Sequence, residues 1–250
     1  VHGIEPKVKA LFSSYRQVVG VSSVMLSIGG DGTFLASAAF VRDSGIPIAG
    51  INFGRLGFLA NITSTNLKLD IDLLCKGKYT VTQRSILRVE LPSPSGDDFP
   101  YALNELAIQK DGTSMVIIDA YIHDEHLCTY WADGLIIATP TGSTAYSLSV
   151  GGPIVSPESN TLTISAIAPH LLTVRPLVIP DSSSLTLIAS SRDRNILVSI
   201  DSRTYSFPSK LTLGISKAPF CIGVINLEGT TYYKTLRNKL MWGMDRRNNN

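Results

Sequence analysis

Residues 24–41 read Val-Met-Leu-Ser-Ile-Gly-Gly-Asp-Gly-Thr-Phe-Leu-Ala-Ser-Ala-Ala-Phe-Val. The apolar run 24–28 predicts a short buried strand. Two glycines end it, and the apolar residues of 34–41 predict a buried helix that stops near Gly45 and Pro47. A strand passing straight into a helix through Gly29-Gly30-Asp31-Gly32-Thr33 is a phosphate-site geometry. Glycines let a ligand approach the backbone, and the helix start offers unpaired amides. The pattern is not a Walker loop, because it has no Lys. It is not the three-glycine dinucleotide fingerprint either, because Leu35 stands in the third glycine position. Its distinguishing feature is the carboxylate. An anion beside phosphates costs electrostatic energy unless it meets a metal ion or takes a proton from an attacking hydroxyl, which is the task of the base in phosphoryl transfer. Asp31 fits that task, and as an isolated match it equally fits a plain cap on the following helix.

Outward from this turn, residues 46–51 are another short buried run and 67–74 have helical spacing, so the first 80 residues alternate strands with helices as layered α/β units do. Before the turn, Val8, Leu11, Phe12, Tyr15 and Val18 mark one face of an amphipathic helix over 6–18. After about residue 80, β-branched and alternating segments predict strands at 86–91, 102–109, 115–122, 135–139, 185–190, 196–200 and 220–227, with a turn-rich hairpin tip at 92–98. Leu236, Leu240 and Met241 form an apolar stripe on a helix over 235–242. The expected fold class is α/β plus β. It has an N-terminal α/β layered lobe over 1–80, to which the helix at about 230–250 returns, and a β-rich, sandwich-like C-terminal lobe over 81–229. The active site is expected in the cleft between them.

A chain of 250 residues with 44% hydrophobic and 17% charged residues buries a sizeable core. A formal charge of +2, without dense basic clusters, argues against a nucleic-acid partner. No apolar run spans a bilayer and no basic-then-apolar leader opens the chain, so no membrane partner is expected. Cys75, Cys128 and Cys221 are odd in number and far apart. Reduced thiols in a cytoplasmic compartment are expected, with Cys75 and Cys221 in the core.

A second constellation lies further along. Asn104-Glu105 interrupts the apolar residues Leu103 and Leu106-Ala107-Ile108, and burying a Glu is costly unless it finds partners. An acid beside an amide can grip the two hydroxyls of a ribose, and a solvated strand edge would also account for the pair. From Asp133 to Pro153 the chain reads as a strand, a hydroxyl-rich turn carrying Thr141, Ser143 and Thr144, and a helical segment over 144–149 that includes Ala145, Tyr146 and Ser149. Hydroxyls and free amides suit a polar ligand, and Tyr146 adds a flat face for a base. Capping is the competing role for each hydroxyl singly.

Residues 29–33, Asn104-Glu105 and residues 133–153 resemble the three signature motifs of the NAD kinase family, in the family's order. Supporting stretches are 52–59, 174–178 and 236–242. The likeness covers nearly the whole chain from about residue 24. It implies an enzyme that transfers the γ-phosphoryl group of ATP to the 2′-hydroxyl of the adenosine ribose of NAD. Asp31 would be the base, and Gly30, Gly32 and Thr33 would lie against phosphates. Asn104 and Glu105 would hold the adenosine ribose, Thr144, Ala145, Tyr146 and Ser149 would surround the adenine, and Asp133 would stand near the nicotinamide end. Mg²⁺ or another divalent cation would bridge the ATP phosphates, with no protein ligands assigned to it. The resemblance further implies NAD and ATP as partners, a homo-oligomer (dimer or tetramer), a role for Asp201 in the site, and a longer opening strand of which residues 1–4 are the remnant. Two competing readings are a lipid or sugar kinase sharing the glycine-aspartate turn, and a non-catalytic NAD(P) sensor.

Three further features have a chemical look. His123-Asp124-Glu125-His126 resembles a metal cluster and is expected to be an exposed turn. His170 lies where the family lines its cleft and fits a structural role at least as well, and Arg55 sits between two glycines as a surface arginine, a phosphate contact or a contact to a neighbouring subunit.

Overall fold

The computed structural model describes residues 14–20, 24–54, 57–63, 66–92 and 99–243. Elements follow in the order β1 (Met25–Ile28), α1 (Asp31–Val41), β2 (Ile48–Asn52), β3 (Ile62–Thr63), α2 (Leu67–Cys75), β4 (Tyr79–Glu90), β5 (Tyr101–Ala102), β6 (Glu105–Lys110), β7 (Val116–Ile122), β8 (Glu125–Ala132) and β9 (Gly134–Ala138). Then come α3 (Tyr146–Ser149), β10 (Thr161–Ile167), β11 (Leu177–Pro180), β12 (Leu185–Ile200), β13 (Arg203–Leu227) and α4 (Tyr232–Leu240). The fold is the expected one, an N-terminal α/β lobe joined to a β-rich C-terminal part.

In the first lobe β1 pairs parallel with β2, and β2 parallel with β3. Successive β2 side chains point to opposite faces. Ile48 packs with Phe34, Ala38 and Val41 of α1, whereas Ala49 and Ile51 pack with Leu67, Ile71 and Leu74 of α2. Helices therefore cover both faces, which is why the β2 residues are all buried and read as an unbroken apolar run. Phe34 is fully buried, and truncating such a side chain costs about 3–5 kcal/mol.

The remaining strands pair antiparallel around a larger core in which Leu106, Ile108, Ile118, Leu135, Ile137, Val198 and Leu213 are buried. The lobes are joined through β13. β13 pairs with β12 along 203–215 and with β4 up to Leu227, and its Val224 lies parallel beside Ile48 of β2.

Several expectations change in extent. The helix expected over 34–41 starts earlier, at Asp31 itself, with Gly30 as its N-cap. The single strand expected over 102–109 breaks at Leu103 and Asn104 into β5 and β6. The segments at 185–190 and 196–200 join into β12 through a register shift between Ser190 and Asn195. The segment at 220–227 is the end of the 25-residue β13, whose polar first half lacks a continuous apolar run. β8, β10 and β11 fall where no strand was expected.

Residues 6–13 of the first expected helix, residues 93–98 of the hairpin tip and Arg55 lie outside the described residues. Within 14–18 the chain forms a 3-10 turn, Tyr15–Gln17, and buries Val18. Cys75 and Cys221 are exposed, not core. Cys75 ends α2, which has no buried residue, and Cys221 points outward beside the β4–β13 register shift. Among the described residues no helix is long and apolar enough to cross a membrane.

Candidate active site

Asp31 is the first residue of α1. Its carboxylate reaches into the loop after β2. Oδ2 accepts from the Phe58 amide at 2.9 Å, and Oδ1 accepts from the Leu59 and Ala60 amides at 3.1 and 3.0 Å. Lys239 of α4 donates to Oδ2 at 3.3 Å. Burial by itself pushes the carboxyl up, but the three amides and Lys239 together outweigh it and hold Asp31 below its ordinary value. Asp31 is therefore a fixed, ionised acceptor. The loop closes on it only because residue 57 is glycine: a Cβ there would collide with Oδ1 and lie 2.9 Å from Cγ.

Gly29 has φ +152, where its missing Cβ would meet the Thr33 side chain. Gly30 and Gly32, by contrast, border open space, and Thr33 is exposed. The first amides of an α-helix have no partner within the helix, so the start of α1 opens toward solvent with donors and room for an anion.

The break between β5 and β6 has a specific cause. At Leu103, Asn104 and Glu105 the amides turn from ladder pairing to the Asp201 carboxylate, at 2.9, 2.8 and 3.2 Å. Asp201 sits in the tight turn between β12 and β13 with φ 52, and its own amide donates to the Glu105 carbonyl at 2.9 Å. Burial pushes the Asp201 carboxyl up, more than the three amides and Arg203 hold it down. Glu105 is pushed up to about 8, by burial first and then by the Asp201 charge, against the Tyr146 amide that stabilises its ionised form.

Asn104 Oδ1 and Glu105 Oε2 are buried with no partner. Buried polar atoms are nearly always bonded, so these two exceptions point to groups that a ligand completes.

The hydroxyl-rich turn packs directly on this pair. The Thr139 amide donates to the Asn104 carbonyl at 2.9 Å and its hydroxyl to the Leu103 carbonyl at 2.6 Å. Gly142 is needed here, because a Cβ would strike the Asn104 backbone, 2.8 Å from its Cα. Ser143 is consumed structurally, bonding Pro140 and Val155. Thr144 bonds back to the Thr141 carbonyl at 3.4 Å. The segment expected as one helix is a 3-10 turn, Thr141–Thr144, followed by α3, with Ala145 at the junction. The Tyr146 hydroxyl accepts from Gln109 at 3.1 Å, and its ring packs over Ala107, Ile136 and Ala138.

Asn104, Glu105, the 139–146 turn and Asp201 thus form one group. Leu103 ties it to the Asp31 group by packing with Phe34 and Leu59. A cleft of about 320 Å³ separates α1 from the Asp201–Arg203 turn. Asp133 stands apart, at the other end of β9, about 20 Å from Thr139 by strand rise, and pairs with Lys110 at 2.7 Å. Ser149 is exposed at the end of α3. His170 is exposed and bonds Trp131 only through its backbone. Of the expected exposed turn at 123–126, His123 and Asp124 form a positive-φ hairpin turn, whereas Glu125 and His126, also exposed, open β8.

Residue patterns single out neither Lys239 nor the backbone donors at 58–60. An amide leaves no side-chain signature, and a lysine on an exposed helix face looks like any solvated charge. The two glycines of the 52–59 stretch were the available signal.

The chain matches the family models for the ATP-NAD kinase N-terminal domain over residues 16–79 and the ATP-NAD kinase C-terminal domain over 103–227. It is 49% identical over 240 residues to an NAD kinase of Flavobacterium psychrophilum, covering 95% of this chain and 82% of that one. An NAD kinase of Bacteroides fragilis is 48% identical over 227 residues, covering 90% and 78%. Among solved structures, yeast NADH kinase complexed with NADH superposes with a TM-score of 0.82 at 24% identity, over 94% of this chain and 71% of that one. An NAD kinase from Archaeoglobus fulgidus in complex with ATP superposes at 0.76 with 25% identity, over 93% and 88%.

Proposed function

This chain belongs to the NAD kinase family, and from that membership we infer how its site works. It is an enzyme, an ATP:NAD 2′-phosphotransferase, and the lipid or sugar kinase and the non-catalytic sensor are set aside. In our reading the adenosine 2′-hydroxyl of NAD donates to Asp31 and attacks the γ-phosphorus of ATP. The new O–P bond forms as the bond to ADP breaks, and the hydroxyl proton passes to Asp31. A carboxylate held below its ordinary range is a weak base. In a loose phosphoryl transfer the proton moves late, so a fixed acceptor that aligns the hydroxyl is what the step requires.

Gly30, Gly32 and Thr33 lie against phosphates, supported by the open space at both glycines. The observation that carries the substrate assignment is the pair of buried, unpartnered oxygens, Asn104 Oδ1 and Glu105 Oε2. They suit the hydroxyls of the adenosine ribose. Thr144, Ala145, Tyr146 and Ser149 surround the adenine, and Asp133 stands at the nicotinamide end, where the length of β9 leaves room for an extended dinucleotide.

Mg²⁺ fits this site as a passenger on the nucleotide. Among the described residues no cluster of three His, Cys, Asp or Glu side chains builds a protein cage, and Mg²⁺ sites commonly rely on substrate phosphates with one or two carboxylates. The nucleotide's own phosphates would hold the ion, which would offset their charge.

The lobes we assign are residues 1–80 with the returning helix at about 230–250, and 81–229. The Lys239–Asp31 contact supports that return. Exposed Leu172, Val178 and Trp131 support a homo-oligomer, dimer or tetramer, and free cysteines support the cytoplasm.

Incubation with ATP, Mg²⁺ and NAD, followed by an enzymatic assay for NADP, tests the function. A folded preparation that makes none would sink it.

A further inference from the structure

A second polar cavity, of about 290 Å³, lies between β4, the 156–158 loop and the start of α4. Its inner wall is Arg84, which is 6% exposed. The Nε of Arg84 is buried without a partner, and among the described residues no carboxylate stands within ion-pairing distance of its guanidinium. Burial disfavours the Arg84 charge more than Tyr232 and the Glu158 carboxylate at the rim, beyond ion-pairing distance, favour it; such an arginine is expensive, and its planar fork of donors is shaped for an oxyanion. Thr80, Thr82 and Thr231 line the same cavity with hydroxyls, and Glu158 stands exposed at the rim.

We propose that this cavity is a binding site for a small oxyanion, a free phosphate or a small carboxylate, held by Arg84 and the threonine hydroxyls and separate from the site at Asp31. The volume sits at the lower edge of small-molecule pockets, which selects a compact anion over a dinucleotide. The wall formed by Thr231 and Tyr232 is the first turn of α4, and Lys239, the partner of Asp31, is seven residues further along the same helix, about 10 Å away by helical rise. The site therefore abuts the element that reaches the catalytic carboxylate.

Inorganic phosphate is the probe, with the full chain saturated in NADP so that the α1 start is occupied. Titration calorimetry is expected to show one phosphate site. Arg84→Met should weaken it by about tenfold or more, the worth of a charge-assisted hydrogen bond. Glu158→Gln should tighten it about threefold by removing a screened like charge. A parallel titration with succinate separates the two sources: tighter phosphate binding assigns a phosphate ligand, tighter succinate binding a carboxylate. Phosphate and succinate both binding Arg84→Met as well as the parent would overturn the proposal. If Arg84→Met does not fold, Glu158→Gln decides alone, and unchanged or weaker binding in it overturns the site. Crystals soaked in selenate give the location directly: anomalous density beside Arg84 supports the site, and density confined to the Gly30–Thr33 turn refutes it.

Discussion

Gly57→Ala is the sharpest probe of how Asp31 is held. The added methyl would clash with Asp31 Oδ1 and come within 2.9 Å of Cγ, while the Ala60 carbonyl, 3.2 Å from the new atom, prevents retreat on the other side. The backbone at residue 57 is not in the left-handed region, so alanine tests space alone. Either the carboxylate or the 57–60 loop must move by about 1 Å, stretching three amide bonds to a charged acceptor. Overpacking of this kind costs about 1–3 kcal/mol of stability. A 1 Å misplacement of a catalytic group costs on the order of 100-fold in turnover. The ribose grip at Asn104 and Glu105 is untouched, so KM for NAD should stay within a few-fold. Steady-state NADP formation and a thermal melt measure both quantities. An alanine variant with parental kcat, or one whose whole loss lies in KM, would refute the assignment of Asp31 as the aligned acceptor.

Asp31→Asn puts a donor against amide donors and removes the proton acceptor. Turnover is expected to fall by about 100- to 10,000-fold with NAD affinity largely kept by calorimetry, and full activity would contradict the mechanism. Glu105 has a folded pKa of about 8 against an ordinary 4.5, so its protonated form adds stability in full below about 4.5, declining as pH rises and gone once pH passes about 8. Glu105→Gln should flatten the melting temperature across that window, and an unchanged slope would count against the buried, raised carboxyl. Gly142→Ala forces the 139–146 turn off the Asn104 backbone. We expect a loss of about 1–3 kcal/mol in denaturant unfolding and a raised KM for NAD; a variant unchanged in both would show that the close approach is not required.

The sequence by itself carried the elements whose burial is local. β2 reads as an unbroken apolar run because helices cover both of its faces, whereas β1, read as buried, leaves Leu26 and Ile28 exposed and buries Ser27; the glycine turn stands out by residue type alone. Asn104-Glu105 was legible as polar residues inside an apolar run. What held that pair was not, because its partner is Asp201, nearly 100 residues later, which the family resemblance put in the site but no local pattern tied to the pair. The long β12 and β13 were only half legible, since their polar halves become strand through pairing with distant neighbours and not through any local pattern. The same division runs through the catalytic centre. Sequence named Asp31, its glycine-rich turn and the 52–59 stretch, all carried by residue type. Only the tertiary structure decided that the 58–60 amides and Lys239 converge on its carboxylate, because backbone donors have no residue identity and a contact across 208 positions exists only once the chain has folded.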